Sequence, residues 1–221
     1  PAMATRLTAP IGLTLAACVL WPAMCVAQHV AIEASAPSVA KYKKIEFLLK
    51  VDKQYPRPFD ADEIAIAVRL KTPAGATVEV PAFLCQDYEQ RQITRGNRTI
   101  DWTYPTGLPR WKARFAPSLV GEHEATVVVR QRGGAEATGS GRVRFQCTAS
   151  QRPGFVRVSK KDPRYLEFSE GKPLFPVGQN LAFIGTTQYV TPAKVDGIFK
   201  KLADNGANFL RICGIEARAI A

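Results

Sequence analysis

The feature that most constrains this chain is a change of hydrophobic period near residue 154. Between residues 43 and 147 apolar side chains recur at every second position, which is the period of a strand with one buried face. One such strand carries Ile45, Phe47, Leu49 and Val51. After Gly154 the pattern becomes strand, helix, strand. The sequence therefore predicts two successive domains of different architecture.

The first part predicts six or seven short strands separated by turn-forming residues, with no convincing helix. The apolar alternation covers residues 45–51, 64–70, 78–83, 111–115, 125–129 and 143–147. The polar stretch 86–109 predicts a long loop with one poorly defined strand, and residues 28–41 predict a linker or a loose N-terminal arm. Such a set is typical of an antiparallel β-sandwich of immunoglobulin-like type, which we assign to residues 42–150.

The first 27 residues have the order of a secretory signal peptide. Arg6 precedes an apolar stretch at residues 7–20, and Cys25-Val26-Ala27 places small residues around a cleavage point. Because the apolar stretch is too short to cross a bilayer, we expect a secreted or periplasmic protein without a membrane span. In an alternative interpretation, Leu15-Ala16-Ala17-Cys18 is a lipobox that would lipidate Cys18.

Three cysteines remain once the leader is removed. Cys85 and Cys147 both fall in strand-like stretches of the first part, and export permits disulfides, so we predict a bridge between them. Cys213 has no evident partner. Because the chain has only two histidines, we predict neither a metal site nor a cofactor. One of them, His123, stands at a predicted corner, where a corner-packing or an exposed position is favoured over catalysis.

The net charge of +11 raises the question of a nucleic-acid partner. Lys112 and Arg114, and likewise Arg142 and Arg144, alternate with apolar residues, which indicates the solvated face of a sheet. Together with the leader, this pattern argues against nucleic acid. An anionic polysaccharide or a cell-surface ligand stays open as a partner.

The second part, residues 151–221, predicts one strand–helix–strand unit after a small hairpin at 155–158 and 165–168. A hydrophobic strand is expected at residues 174–178. Thr191-Pro192 supplies an N-cap and a first-turn proline, and Gly206 is a C-cap signal, so a helix is expected between them. Residues 208–213 predict a second buried strand. This order is typical of a parallel β-α-β unit.

Two segments of the second part carry a family resemblance. Residues 165–180, ending in Gly178-Gln179-Asn180, resemble the opening of a (β/α)8 barrel in the clan of retaining glycoside hydrolases that includes cellulases and β-mannanases. Residues 206–212, with the pattern Gly-x-Asn-x-x-Arg, resemble the second strand of that clan. The preceding domain resembles the β-sandwich that stands directly before such barrels in bacterial glycosidases.

The resemblance implies roles for two residues. Asn180 matches the asparagine at the carboxyl end of strand one, which faces the sugar cleft. Arg211 matches the strand-two arginine that hydrogen-bonds the catalytic nucleophile. Gln179 and Cys213 depart from the usual residues, glycine or glutamate and an aromatic respectively, and they leave the subfamily open.

The same resemblance implies that no catalytic residue lies in this chain. The clan's two carboxylates end strands four and seven, and far fewer residues follow Gly154 than the roughly 250 of such a barrel. Asp196, Asp204 and Glu216 are expected on solvated surfaces.

We therefore expect the truncated front of a polysaccharide-degrading glycosidase, inactive alone, with the sandwich as its accessory domain. A non-enzymatic carbohydrate-binding or adhesion sandwich, which uses Trp102, Tyr104 or Trp111, is the alternative. Neither reading indicates an oligomeric state.

Overall fold

The computed structural model describes residues 30–131, 136–182 and 192–213, and these are mostly β-strand. The predicted leader, with Cys18 in its lipobox alternative, and Glu216 lie outside the described residues. In the described ranges, the helix is neither long enough nor apolar enough to cross a membrane.

Eight strands form one curled, mixed sheet, in the spatial order β1-β3-β6-β5-β4-β7-β8-β2. Neighbouring strands are antiparallel, apart from the parallel pair of β2 with β8. The sheet curls until β1 contacts β8. The strands are β1 (Val30–Ala34), β2 (Ser38–Ala40), β3 (Ile45–Val51), β4 (Ile64–Lys71), β5 (Thr77–Arg95), β6 (Arg98–Phe115), β7 (Gly121–Gln131) and β8 (Ala137–Thr148).

The curled sheet encloses one apolar core, because every second side chain points inward. In β3 the inward residues Ile45, Phe47 and Leu49 are almost completely buried, as their alternation predicts. Phe47 meets Phe145 of β8 with ring centroids 5.8 Å apart. The same cluster includes buried residues of β1, β4, β6 and β7.

Two predictions for the first part are wrong. Residues 28–41 are not a linker, because they contain β1 and β2 and place Val30, Ile32 and Val39 in the core. Residues 86–109 are not a loop but belong to a long hairpin of β5 and β6. Its turn is Gly96-Asn97, and Gly96 supplies the positive φ of 58° that a two-residue hairpin turn needs.

The second part begins with a three-stranded antiparallel meander of β9 (Val156–Val158), β10 (Leu166–Phe168) and β11 (Pro173–Leu174). The predicted hairpin is therefore confirmed. The meander contacts the curled sheet at the turn after β2. There Lys41 donates to Glu170 at 2.7 Å, and the ring of Tyr42 packs edge-on against Phe155, with centroids 5.3 Å apart.

The strand–helix–strand unit follows the meander. It consists of β12 (Gly178–Ala182), α1 (Pro192–Asp204) and β13 (Phe209–Cys213). The predicted strand at residues 174–178 is divided, because Leu174 belongs to the meander and only Gly178 begins β12. The helix has the predicted extent in the described residues and buries Val195.

The close approach of β1 to β8 predicts a strict requirement for Gly141. A Cβ atom there would lie 2.7 Å from the backbone nitrogen of Ile32, so Gly141→Ala must push two strands apart. We expect a loss of about 1–3 kcal/mol in the free energy of unfolding, measured by urea denaturation.

Gly197→Ala is the matched control, because its Cβ meets nothing within 4 Å and alanine favours the helix. An unchanged unfolding midpoint for Gly141→Ala would show that β1 does not pack this closely on β8.

Candidate functional site

The two residues that the family resemblance singled out lie side by side. Strands β12 and β13 pair in parallel, and the register places Asn180 opposite Arg211. Partners in a parallel register share one face of the sheet, so the amide and the guanidinium project to the same side. Both residues are exposed. Leu181 and Leu210, on the opposite face, are half-buried.

Asn180 was expected at the carboxyl end of its strand, but the structure places it in the middle of the strand. It is the third of five residues in β12, and Leu181 and Ala182 continue the pairing with β13. The shift follows from the division of the predicted strand, which moves the start of β12 to Gly178.

The pairing of β12 with β13 depends on Asn208, which sequence reasoning placed in the motif without a role. The Asn208 Oδ1 atom accepts from the backbone N–H of Val177 at 2.8 Å, and Nδ2 donates to the carbonyl of Phe175 at 3.1 Å. The backbone N–H of Asn208 donates to the Val177 carbonyl at 2.9 Å. These bonds hold the segment before β12 against the start of β13. A short polar residue directly before a predicted strand was the signal for this role. The structure leaves Phe209 of that strand exposed and Leu210 half-buried, so the strand is not buried as predicted over its described side chains.

Gly178 is the second requirement of this pair. A Cβ atom at Gly178 would lie 1.7 Å from the carbonyl oxygen of Phe209, far inside any contact distance. The glycine of the Gly-x-Asn motif is therefore explained by close backbone approach.

The arrangement can bind and orient an anion, but it supplies no acid or base. Among the described residues, no carboxylate pairs with Arg211. Asp204 pairs with Lys200 at 2.8 Å on the exposed side of α1, as expected for a solvated carboxylate. Asp196 on the same helix is exposed. No group of three metal-ligating side chains occurs in the part of the chain that the structure describes.

The other candidates from the sequence resolve into packing roles. His123 is buried, stacks on Phe145 with ring centroids 5.0 Å apart, and places Nδ1 3.2 Å from the carbonyl of Gly121, as a corner residue would. Cys85 and Cys147 are free thiols on strands that are not neighbours in the sheet, so the predicted bridge is not formed. Burial raises the pKa of the Cys147 thiol.

Several basic residues of the sheet are paired with carboxylates. Arg114 donates to Glu46 at 2.8 Å, and Arg144 donates to Glu124 at 3.0 Å. The alternation of Lys112 predicts a solvated residue, and this prediction is wrong because Lys112 is buried.

Lys112 joins three strands at the base of the β5–β6 hairpin. Its ammonium group donates to Asp87 at 2.7 Å and lies 3.5 Å from Glu46. Hydrogen bonds from Lys112 and then Arg110 lower the pKa of Asp87 to about 2. A cleft of about 700 Å³ opens beside this network, lined in part by Leu48, Asp87 and Trp111.

Comparisons with known proteins show similarity of fold alone. No family model matches the chain, and no curated protein matches it. The chain is similar to a solved structure described as a "putative glycoside hydrolase" from Bacteroides vulgatus ATCC 8482, with a TM-score of 0.51 and 18% identity. The match covers 80% of this chain and 28% of that chain, so this chain spans little more than a quarter of its solved neighbour.

Two other solved structures match more weakly. The Lin-41 filamin domain has a TM-score of 0.28 and 15% identity, over 55% of this chain and 94% of its own. A conjugative transposon lipoprotein from Bacteroides eggerthii DSM 20697 has a TM-score of 0.23 and 12% identity, over 52% of this chain and 95% of its own.

The side-chain bonds of Asn208 predict a local loss of protection in Asn208→Ala. The variant leaves the Val177 N–H and the Phe175 carbonyl without their side-chain partner, so β12 should separate from β13 more often. We expect faster cleavage within residues 175–213 in limited proteolysis, while a fragment near residues 30–150 stays protected. Asn205→Ala is the control, because it removes a side-chain hydrogen bond to the Lys201 carbonyl at the end of α1 and none between β12 and β13. Equal cleavage rates for both variants would contradict this role of Asn208.

The network at the hairpin base predicts an acid-dependent effect of Asp87→Asn. Because the folded pKa of Asp87 is about 2 and lies below its ordinary value of 3.8, its charge stabilises the fold above about pH 4. This contribution is lost as the pH falls through 2.

Asp87→Asn should therefore be less stable than the wild type at pH 6, and the difference should shrink as the pH falls from about 4 to 2. Urea unfolding at several pH values measures it. Asp196→Asn, which removes an exposed carboxylate of α1, is the control. A difference that stays constant down to pH 2 would rule out the network as its source.

Proposed function

We propose that this chain is the N-terminal part of a secreted glycoside hydrolase that acts on polysaccharide or oligosaccharide. The curled sheet is its accessory domain, an immunoglobulin-like sandwich, and residues 151–221 open a (β/α)8 catalytic barrel. The carbohydrate is the substrate, and no nucleic acid, membrane span, metal or cofactor takes part.

One observation carries the proposal, namely the parallel pairing that sets Asn180 beside Arg211 on one exposed face. In a retaining glycosidase the nucleophile is a carboxylate that must stay ionised and oriented. A fixed guanidinium does both, through charge attraction and paired N–H donors. The amide of Asn180, one strand away, is then placed to hydrogen-bond sugar hydroxyls.

The fold similarity supports this domain order. One solved glycosidase-like chain matches 80% of the residues here, which is more than the curled sheet alone contains, and the match covers only 28% of that longer chain. The catalytic carboxylates of the whole protein would then belong to later strands of the barrel.

The proposed location is the periplasm or the cell exterior. It rests on Arg6, the apolar residues 7–20 and the small residues before Gln28. Lipidation at Cys18 is the alternative route to the same compartment.

The proposal predicts that the 221-residue chain hydrolyses no glycoside, whereas the protein encoded by the complete reading frame does. The two proteins would be compared on a panel of soluble polysaccharides by reducing-sugar release. Measurable turnover by the 221-residue chain would contradict the prediction that both catalytic carboxylates lie outside it. A complete reading frame without further strand–helix repeats or strand-end glutamates would overturn the proposed activity.

In the complete enzyme, Arg211→Lys should lower kcat/KM by about 100-fold, because lysine cannot orient a carboxylate with two parallel donors. The acidic limb of the pH–rate profile should also move to higher pH, since the nucleophile would lose a hydrogen bond that favours its ionised form. Arg164→Lys is the matched control, because Arg164 pairs with Asp162 in the turn between β9 and β10 and lies on neither β12 nor β13. Equal activity of the two variants would exclude Arg211 as the positioning residue.

A further inference from the structure

The outer part of the β5–β6 hairpin has no other strand beside it. Strand β4 pairs with β5 only up to Pro81, and β3 pairs with β6 only from Trp111 onward. Residues 87–95 and 98–106 pair only with each other among the described strands. We call them the hairpin arm. A two-stranded hairpin alone is marginally stable in water, so an arm roughly 27 Å long points to a function beyond packing.

The two faces of the hairpin arm differ in chemistry. Directly opposed residues share a face, and the register pairs Arg91 with Trp102 and Glu89 with Tyr104. The face that contains them, which we call the aromatic face, consists of Asp87, Glu89, Arg91, Ile93, Arg95, Arg98, Ile100, Trp102, Tyr104 and Thr106. Threonine, glutamine and aspartate dominate the opposite face, which carries Tyr88 as its aromatic residue.

The aromatic face presents two accessible rings. Trp102 and Tyr104 are each 40% exposed. Their centroids lie 6.1 Å apart with the planes 46° from parallel, so they form a shallow, continuous apolar strip. Trp111, by contrast, packs against the core and belongs to no exposed surface of this kind.

Charged groups border this strip. The guanidinium of Arg95 lies 5.3 Å from the centre of the Trp102 ring. Arg91 makes two hydrogen bonds to the Glu89 carboxylate, at 2.8 and 2.9 Å. With Arg98, three guanidinium groups share the face with the carboxylates of Glu89 and Asp87. Asp87 is itself paired with Lys112 and Arg110 at the base of the arm, so the face is positively charged at neutral pH.

We propose that the aromatic face of the hairpin arm binds an anionic polysaccharide. The apolar C–H face of a pyranose ring stacks on Trp102 and Tyr104, and its carboxylate or sulfate groups pair with the arginines. The Glu89 carboxylate, which Arg91 holds in place, accepts hydrogen bonds from sugar hydroxyls. This site is separate from the barrel strands, and it does not depend on the proposed glycosidase activity.

The test must separate stacking from the general attraction of a basic protein for polyanions. Trp102→Ala/Tyr104→Ala removes both rings and changes no charge, which makes it the decisive variant. Tyr88→Ala removes an exposed aromatic from the opposite face of the same arm and is the matched control. Circular dichroism of each variant of the 221-residue chain checks that the fold persists.

Affinity gel electrophoresis would use alginate, polygalacturonate or chondroitin sulfate, with dextran as the neutral polysaccharide and poly(dT) as the nucleic acid. We expect retardation by at least one anionic polysaccharide, and an affinity about tenfold lower for the double variant with Tyr88→Ala unchanged. Arg95→Gln should weaken binding to the same polysaccharide and reduce its salt dependence.

Three results would overturn the proposal. The first is the absence of retardation by every anionic polysaccharide. The second is equal retardation of the wild type and the double variant, which would assign the binding to net charge alone. The third is tighter, ring-dependent binding to poly(dT), which would make the arm a nucleic-acid site.

Discussion

The architecture of the first part depends on strand β5, which changes partners partway along its length. Residues up to Pro81 pair with β4, and residues from Ala82 onward pair with β6. Pro81, which has no backbone N–H to donate, stands where the strand leaves β4. Because one strand serves both halves of the sheet, the sheet can curl around its core and still extend beyond it as the hairpin arm.

The arm is connected to the core by charge as well as by backbone. Lys112 is buried beneath the point where the arm departs, and it can stay charged there because Asp87 and Glu46 approach it from the strands on either side. Arg110 adds a second donor to Asp87. The network fixes the direction of the arm relative to β3, and with it the position of the exposed rings.

The second part follows a different rule. Its parallel strands are joined by backbone approach at Gly178 and by the side chain of Asn208, and the facing pair Asn180 and Arg211 results from that register. A shift of one residue would turn one of the two side chains to the opposite face. The placement of Arg211 that the proposed function requires is therefore set by Gly178 and Asn208, two motif residues with no proposed role in substrate binding.

The sequence by itself determined the strands with apolar alternation, such as β3 and β7, and the extent of helix α1, because their period and caps are local properties. It also placed Asn180 and Arg211 in adjacent strands of one β-α-β unit. It missed β1, β2 and the hairpin arm. Residues 30–40 carry too short an alternation to be distinguished from a linker. In the arm, residues 87–95 are mostly polar, and apolar alternation is limited to Ile100, Trp102 and Tyr104. Only the tertiary structure decided that β1 closes against β8, that Lys112 is buried, and that Trp102 and Tyr104 share an open face while Trp111 packs on the core. These outcomes depend on which distant strands become neighbours, and the periodicity of a single strand carries no information about its partners.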